Sequence, residues 1–540
     1  MVMNDNDLIR ERQEIISLLT TARLERGISQ QALAEMTGTK RSNICRMESG
    51  AQNVSLDTFL KVAHALGKNI RISLEEENQS AQTGSVREAS ADAEIRLKES
   101  KKGTRTGSTR RITSGTVNRS EEKKTREKNG IKGQTSPDTG KLPEVRKTPF
   151  SGSYSLRLYD DELLTFSLTD AGPEDLKAHI LSVNGDRRKV FPLDLELTDS
   201  GILKWLRGRM IPKSRTYADE ILKALDLDYN DTKGIIDVSM GLSLNDSFWV
   251  VPLGFTGRFK DYNLYQNHFS DALSLIAFTG AGQSSAAFTG TGQSGEAFTL
   301  SPELTTHGML PKAWRRIEGD GIYLYKGGTS GAANAGREPY SEYYACQIAE
   351  RMGLNAVHYE LETWEDIPAS RCRLFTNINT SYIPIGNLVK TGGIKACLAY
   401  FAAIGPDALD AVKSMLVFDA VICNEDRSFE NFGILRDNHT GRILGAAPVF
   451  DNGMSLFNYA MPEDFRDLSK YAATRTTPYG LSFEEVFREA CGNKQRAQLK
   501  RLIDFRFERH PSINLPEEHL QAIEEEIGRR VQELLALPTR

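Results

Sequence analysis

The sequence predicts a multi-domain chain of 540 residues: an all-α head, a disordered linker, and an α+β body that ends in helices. Three observations lead there. Residues 8–67 carry apolar stripes at helical spacing, punctuated by capping residues and glycines. From Glu75 to Lys147 there is no aromatic residue and little aliphatic content. Beyond residue 150, alternating strand-like runs mix with helical stripes. Charge divides the chain in the same way, with net −1 over residues 1–77, +8 over 78–150 and −11 over 151–540.

With 39% apolar and 26% charged residues the chain can build cores, which excludes disorder throughout. No apolar run approaches the ~18 residues of a membrane span, and no secretion signal is recognisable, so a cytoplasmic protein without membrane partners is expected. The six cysteines (45, 346, 372, 397, 423, 491) include no C-x-x-C pair. That argues against a disulfide scaffold and against a zinc site, and it fits a reducing compartment.

In the head, Leu8, Ile15, Ile16, Leu18, Leu19 and Ala22 form the stripe of a first helix. Ser29 caps a second, Gln30 to Met36, ending at Gly38. Thr39 caps a third carrying Lys40, Arg41, Ser42, Asn43 and Arg46, with Ile44 and Met47 inward beside Leu33 and Ala34. A fourth, capped by Ser55, buries Leu56, Phe59, Leu60, Val62, Ala63 and Leu66. NIRISL then alternates like a short strand.

ISQQALAEMTGTKRSNICRMESGAQNVSLDTFLKVAHALG resembles the helix-turn-helix domain of phage-repressor type regulators. The resemblance implies operator DNA bound through residues 29–48. Gln30 would hold a phosphate at a helix start. Thr39, Lys40, Arg41, Ser42, Asn43 and Arg46 would face the major groove, where Arg and Asn make bidentate contacts to guanine and adenine. In relatives of the HipB antitoxin type, a strand where NIRISL stands completes a homodimer. The linker, residues 78–150, buries too little apolar area to offset its chain entropy. It is expected to be a tether spanning roughly 45 Å, with its excess positive charge available to phosphates.

In the body, SLRLY and LLTFSL read as a hairpin, SGILKWLRGR and TYADEILKALDL as helices, and DSFWVVP as a strand. A ten-residue AFTG repeat over 277–299 contains a G-x-G-x-x-G pattern and reads as a variable surface insertion. IYLYK is a strand ending at Lys326, followed by a glycine-rich turn and a helix bearing Glu342. AVKSMLVFDAVICNEDRSFENFGIL reads as a buried helix, a polar turn and a strand, and APVFDNGMSLF as a second strand entering a turn. EEVFREACG, QLKRLIDFRF and EHLQAIEEEIGRRVQELLAL read as closing amphipathic helices.

Asp426 and Asn431 stand five residues apart, with Asp451-Asn-Gly453 following. The order Lys, Glu, Asp…Asn, Asp-x-Gly is that of phosphoryl-transfer sites. A lysine–glutamate pair orients phosphates, one aspartate takes the hydroxyl proton, and an asparagine and a second aspartate hold Mg²⁺. Each piece alone is commonly a turn former or a solvated charge.

Together CNEDRSFENFGIL, PVFDNGMSL and YKGGTSGAANAGREPYSEYYA resemble the HipA-like serine/threonine kinases of the bacterial toxin group. Ser428 stands where that family commonly has histidine. The resemblance implies a bilobal protein-kinase-like body using ATP and Mg²⁺, with an N-terminal region and N-lobe over 151–385 and a helical C-lobe over 386–540. Asp426 would be the catalytic residue, Lys326, Glu342 and Gly308 would hold the nucleotide, and Asn431 and Asp451 the metal. SPELTTHGMLPKAW, with Thr305, Thr306, Gly308 and Lys312, is the positional counterpart of the family's phosphate loop. Relatives target aminoacyl-tRNA synthetases, while no residue here names the protein substrate. Two functions are thus expected: a kinase fused to a DNA-binding module that autoregulates its operon, or an inactive HipA-like regulator using the body as a sensor or interaction domain.

Overall fold

The computed structural model describes residues 15–23, 26, 28–37, 44, 47–48, 56–68, 150–170, 176–281, 300–331 and 334–538. Contacts divide the chain into two compact units, residues 1–45 with 54–146 and residues 46–53 with 147–540.

The head contains helices α1 (15–23), α2 (Gln30–Thr37) and α3 (Leu56–Ala65). Ser29 caps α2 by accepting the Ala32 amide at 3.1 Å, and α2 packs on α3. Ile16, Leu19 and Ala22 are buried, as are Leu33 and Ala34, and on α3 Phe59, Val62 and Ala63, with Leu66 just beyond it. Ile44 and Met47 are helical and buried too. Two residues expected inside are not: Leu18 is 47% and Leu60 42% exposed. Phe59, Val62, Ala63 and Leu66 lie at i, i+3, i+4 and i+7, and Leu60 is one step around the helix from that stripe. Leu18 is displaced in the same way from Leu19 and Ala22. Thr39 to Asn43, Arg46, the Ser55 cap, NIRISL, the linker to residue 149, and residues 282–299 of the repeat lie outside the described residues.

The body opens with strands β1 (Phe150–Leu158), β2 (Asp161–Asp170) and β3 (Leu176–Val183). Phe150 already pairs with Asp170, one residue before the expected boundary. Helices α4 (Asp199–Arg207), α5 (Ala218–Ala224) and α6 (Thr232–Ser239) follow, and then β4 (Phe248–Pro252). The first sheet is antiparallel in the order β3-β2-β1-β4. The continuous apolar run of β4 has a simple cause, since both its faces are covered. Phe248 and Val250 join Trp205 and Ile202 of α4, while Trp249 and Val251 face Phe259, Leu264 and Phe269.

After α7 (Asp271–Thr279) come β5 (Lys312–Ile317), β6 (Gly321–Lys326), α8 (Glu338–Met352), β7 (Tyr359–Trp364) and β8 (Ile367–Arg373). They form a second antiparallel sheet in the order β5-β6-β8-β7. Ala313, Tyr325 and Ala369 turn one face toward Ile221, Leu222, Ile276 and Phe278 of α5 and α7. In this register Lys312 opposes Lys326, so both lysines emerge on the same face of the sheet.

A third sheet, β11-β10-β9, combines β9 (Thr380–Pro384), β10 (Gly433–Asp437) and β11 (Ile443–Ala446). A Cβ on Gly433 would lie 2.0 Å from the Ile383 carbonyl oxygen, so only glycine lets β10 come this close. Helix α9 (Gly393–Ile404) precedes α10 (Pro406–Ile422), which is buried along most of its length. Around α10 pack α9, α11 (Phe483–Ala490), α12 (Asn493–Lys500) and α13 (Glu517–Ala536).

Two element readings are corrected. APVF is not a strand: β11 stops before Pro448, which has no amide to donate, and Val449 makes only an isolated bridge to Ala356. QLKRLIDFRF is helical only to Lys500; Asp504 takes φ 59°, and the Phe507 amide is satisfied by Glu524 of α13 at 2.8 Å. The first and third sheets are tied across long sequence distances. Buried Arg436 of β10 donates to the carbonyls of Phe191 and Lys189, and Tyr159 stacks on His439 and donates to the Ile378 carbonyl at 2.8 Å.

Candidate active site

Lys326 ends β6 on the face that α8 covers, and Glu342 sits in the second turn of α8. The lysine Nζ lies 2.8 Å from Glu342 Oε1 and 2.7 Å from Asp451 Oδ1. Glu342 uses its second oxygen to accept the Asn452 amide at 2.7 Å, and the Asp451 amide donates to the Tyr359 hydroxyl at 3.0 Å. Strand, helix and the 451–453 turn thus meet on one ammonium.

Burial alone would lower Lys326, but the carboxylates of Asp451 and Glu342 outweigh it and hold the ammonium well above the ordinary lysine value. Burial works against the Asp451 charge as well, yet Lys326 and then Lys312 keep that carboxyl well below its usual range. Glu342 is pushed up by burial despite Lys326. Exposure separates the two acids. The Glu342 side chain keeps 2% of its surface and Asp451 34%, so Asp451 is the one able to meet a ligand. Asp451 takes φ 59°, and Leu456 and Phe457 in the same segment take φ 50° and 60°. Such left-handed residues cluster where a segment is fixed for function.

The polar turn after α10 is organised by Arg427, which is fully buried at 0% exposure. Its guanidinium binds Asp419 of α10 at 3.0 Å, the Asn431 carbonyl at 3.1 Å, Asn452 Oδ1 at 2.6 Å and the Phe450 carbonyl. Burial opposes the charge, and Asp419 outweighs it, holding the guanidinium above its ordinary value. Asn424 accepts the Asp426 amide at 3.0 Å, and Asn431 Nδ2 donates to the Asp426 carbonyl at 2.8 Å. Because its nitrogen is committed there, the amide oxygen of Asn431 remains as the hard donor that Mg²⁺ prefers.

The structure therefore joins Lys326, Glu342 and Asp451 directly, and it joins Asp426 and Asn431 within one loop that Arg427 fastens to 450–452. Gly308 has φ 95°, and a Cβ there would fall 2.1 Å from Lys312 Nζ. That lysine donates to the His307 carbonyl at 3.1 Å. Thr305 is buried and donates to the Leu242 carbonyl at 2.8 Å; Thr306 donates to Pro302 at 2.7 Å. In the head Gln30 opens α2, whereas Thr39 to Asn43 and Arg46 lie outside the described residues.

Sequence reasoning left Asp419, Asn452 and Tyr359 out of the site. Asp419 could have been found, since an aspartate inside the apolar run SMLVFDAVI needs a buried partner. Asn452 and Tyr359 carry no such signal.

A helix-turn-helix family model matches residues 19–72. An uncharacterized HTH-type transcriptional regulator of Haemophilus influenzae is 39% identical over 74 residues, which are 13% of this chain and 74% of that protein. The chain belongs to the helix-turn-helix family. This membership rests on the head. Among solved structures, a Helicobacter pylori proinflammatory kinase, CtkA, is similar with TM-score 0.34 and 18% identity over 42% of this chain and 92% of that one. The Shewanella oneidensis HipA–HipB–operator DNA complex gives TM-score 0.40 and 14% identity, covering 72% of this chain and all of that one. Among the described residues no helix is long and apolar enough to cross a membrane.

Two outcomes are expected. Arg427→Leu leaves Asp419, Asn452 and two carbonyls without their partner, so it should cost ~3–5 kcal/mol in denaturant unfolding; Arg427→Lys, lacking the planar fork, should recover only part. Lys312 is held down to about 7 by burial and then by Lys326, against an ordinary 10.5. Between these values the unfolded chain binds more protons, so the penalty of burying this charge is relieved as pH rises. The rise in thermal midpoint over that window should therefore be smaller for Lys312→Met than for the wild type.

Proposed function

We propose that the body is an ATP- and Mg²⁺-dependent protein serine/threonine kinase of the HipA type, and that the head binds operator DNA and autoregulates its own operon. The observation that carries the kinase reading is the single lysine shared between a helix-borne glutamate and an aspartate of a D-x-G turn, beside a D-x-x-x-x-N loop. In that constellation Glu342 is buried while Asp451 keeps a third of its side-chain surface open. Phosphoryl transfer requires that asymmetry: Glu342 orients Lys326, and Asp451 faces the ligand.

Lys326 would hold the α- and β-phosphates, with Asn431 and Asp451 as metal ligands. Mg²⁺ on these oxygens would supply neutralisation of charge on the transferring phosphoryl group. Asp426 would accept the substrate hydroxyl proton, and its placement depends on Asn424 and Arg427. On the head, Gln30 at the start of α2 would contact a phosphate, residues 39–46 would read bases, and a homodimer would match a palindromic operator.

Incubation with labelled ATP and Mg²⁺ tests the first half. Asp426→Ala should lower transfer roughly 10²–10⁴-fold while nucleotide binding persists, and Asp451→Ala should weaken Mg²⁺-dependent ATP binding as well. Undiminished transfer in both variants would overturn the assignment. A wild type that neither binds nor hydrolyses ATP would favour the sensor reading. For the head, Arg41→Ala or Asn43→Ala should cost ~1–3 kcal/mol at one operator position, whereas Gln30→Ala should weaken all sequences alike. An operator selection with the full chain reads both.

A further inference from the structure

Helix α8 carries a second group of chemistry-bearing side chains, one turn beyond Glu342. Cys346 and Glu350 stand at i and i+4 on one face of α8, and His358 immediately precedes β7. Cys346 Sγ lies 3.5 Å from Glu350 Oε1 and 3.7 Å from His358 Nδ1, and the latter two atoms are 2.6 Å apart. The cysteine is buried, while the other two are exposed, so solvent reaches the group from one side.

These distances can be set against a coordination geometry. With bonds of about 2.3 Å to sulfur and about 2.0 Å to nitrogen or oxygen, a tetrahedral ion holds sulfur roughly 3.6 Å from each neighbouring donor. Both sulfur distances already fit. Only the histidine–glutamate hydrogen bond must open, to roughly 3.3 Å, as two metal bonds replace it. The Tyr359 amide donates to Sγ at 3.4 Å, which is the kind of outer hydrogen bond that steadies a ligating thiolate. A thiolate and a carboxylate together cancel the charge of a divalent cation, and the imidazole adds a neutral donor. Sulfur with imidazole selects zinc over magnesium or calcium. Three protein donors leave the fourth position to water. Burial pushes the Cys346 thiol up to about 12, so the cation must displace its proton on binding.

We propose that Cys346, Glu350 and His358 form a zinc site that pins α8 to the start of β7. The expectation that no zinc site exists rested on the missing C-x-x-C pair; here C-x₃-E on a helix meets a histidine brought in by the next strand. The position gives the site a consequence. Helix α8 holds Glu342, and β7 begins with Tyr359, whose hydroxyl receives the Asp451 amide. A cation joining the two elements would fix both supports of the Lys326 ion pair. The inference does not depend on kinase activity.

The test uses the full chain, stripped with a chelator, reloaded with Zn²⁺ or Co²⁺ and desalted. One equivalent of zinc should be retained, and cobalt should show a thiolate-to-metal charge-transfer band. Losing a group that merely supports a ligand costs roughly 10–100-fold in affinity, so His358→Ala and Glu350→Gln should each lose at least that. Both side chains are exposed, which keeps these variants informative should Cys346→Ser fail to fold. Cys346→Ser should abolish the charge-transfer band, and Asp451→Asn should leave it intact. Absence of retained zinc, a cobalt spectrum without the thiolate band, or equal retention in the His358 and Glu350 variants would overturn the proposal.

Discussion

One buried ammonium holds three parts of the body in register. Lys326 closes a strand, Glu342 belongs to the helix laid over it, and Asp451 comes from a turn 125 residues further along the chain. A charge removed from water at this depth is tolerated only when it is paired and hydrogen-bonded. That requirement dictates much around it. Glu342 must be desolvated and must spend its second oxygen on the Asn452 amide. Asp451 must take a left-handed backbone to reach Lys326 while its amide reaches Tyr359. The strand register that delivers Lys326 also delivers Lys312 beside it, where burial first and the Lys326 charge second hold the second ammonium below its ordinary value.

Arg427 plays the matching part from the helical side. Its five donors are shared among an aspartate on α10, a carbonyl of its own loop, and the 450–452 segment. The loop bearing Asp426 and the turn bearing Asp451 are therefore positioned by one rigid planar group. A lysine could satisfy one of these acceptors but could not fix their relative angle.

Much of this was legible in the sequence, for identifiable reasons. Periodicity located β1, β2, β6 and α13, because each must bury a regular face, while continuous apolar runs located β4 and α10, which are covered on more than one side. The spacing of Asp426, Asn431 and Asp451 was legible because short loops keep residue types at fixed offsets. Part of what was not legible depended on partners far away in sequence. Leu18 and Leu60 are apolar yet off the buried stripe, which composition alone does not reveal. Val449 looked like strand until Pro448 removed a donor. Helix α12 stops at Lys500, and beyond it the Phe507 amide is satisfied by Glu524 from the last helix. Gly308 was legible as a glycine, but only the structure shows Lys312 Nζ lying in the space beside it.

The docking of the first sheet on the third has a consequence for how the chain is made. Arg436 is buried against the carbonyls of Phe191 and Lys189, 245 and 247 residues earlier in the sequence, and Tyr159 meets His439 across 280 residues. Contacts of such separation slow folding, because loop-closure entropy must be met before they form. At ribosomal rates of ~5–20 residues per second, the 189–191 segment waits roughly 12–50 s for Arg436 to be made. During that interval the surface around residues 189–191 has no Arg436 to occupy it. The body is thus open to misassembly and proteolysis while it is being synthesised, until that surface is covered.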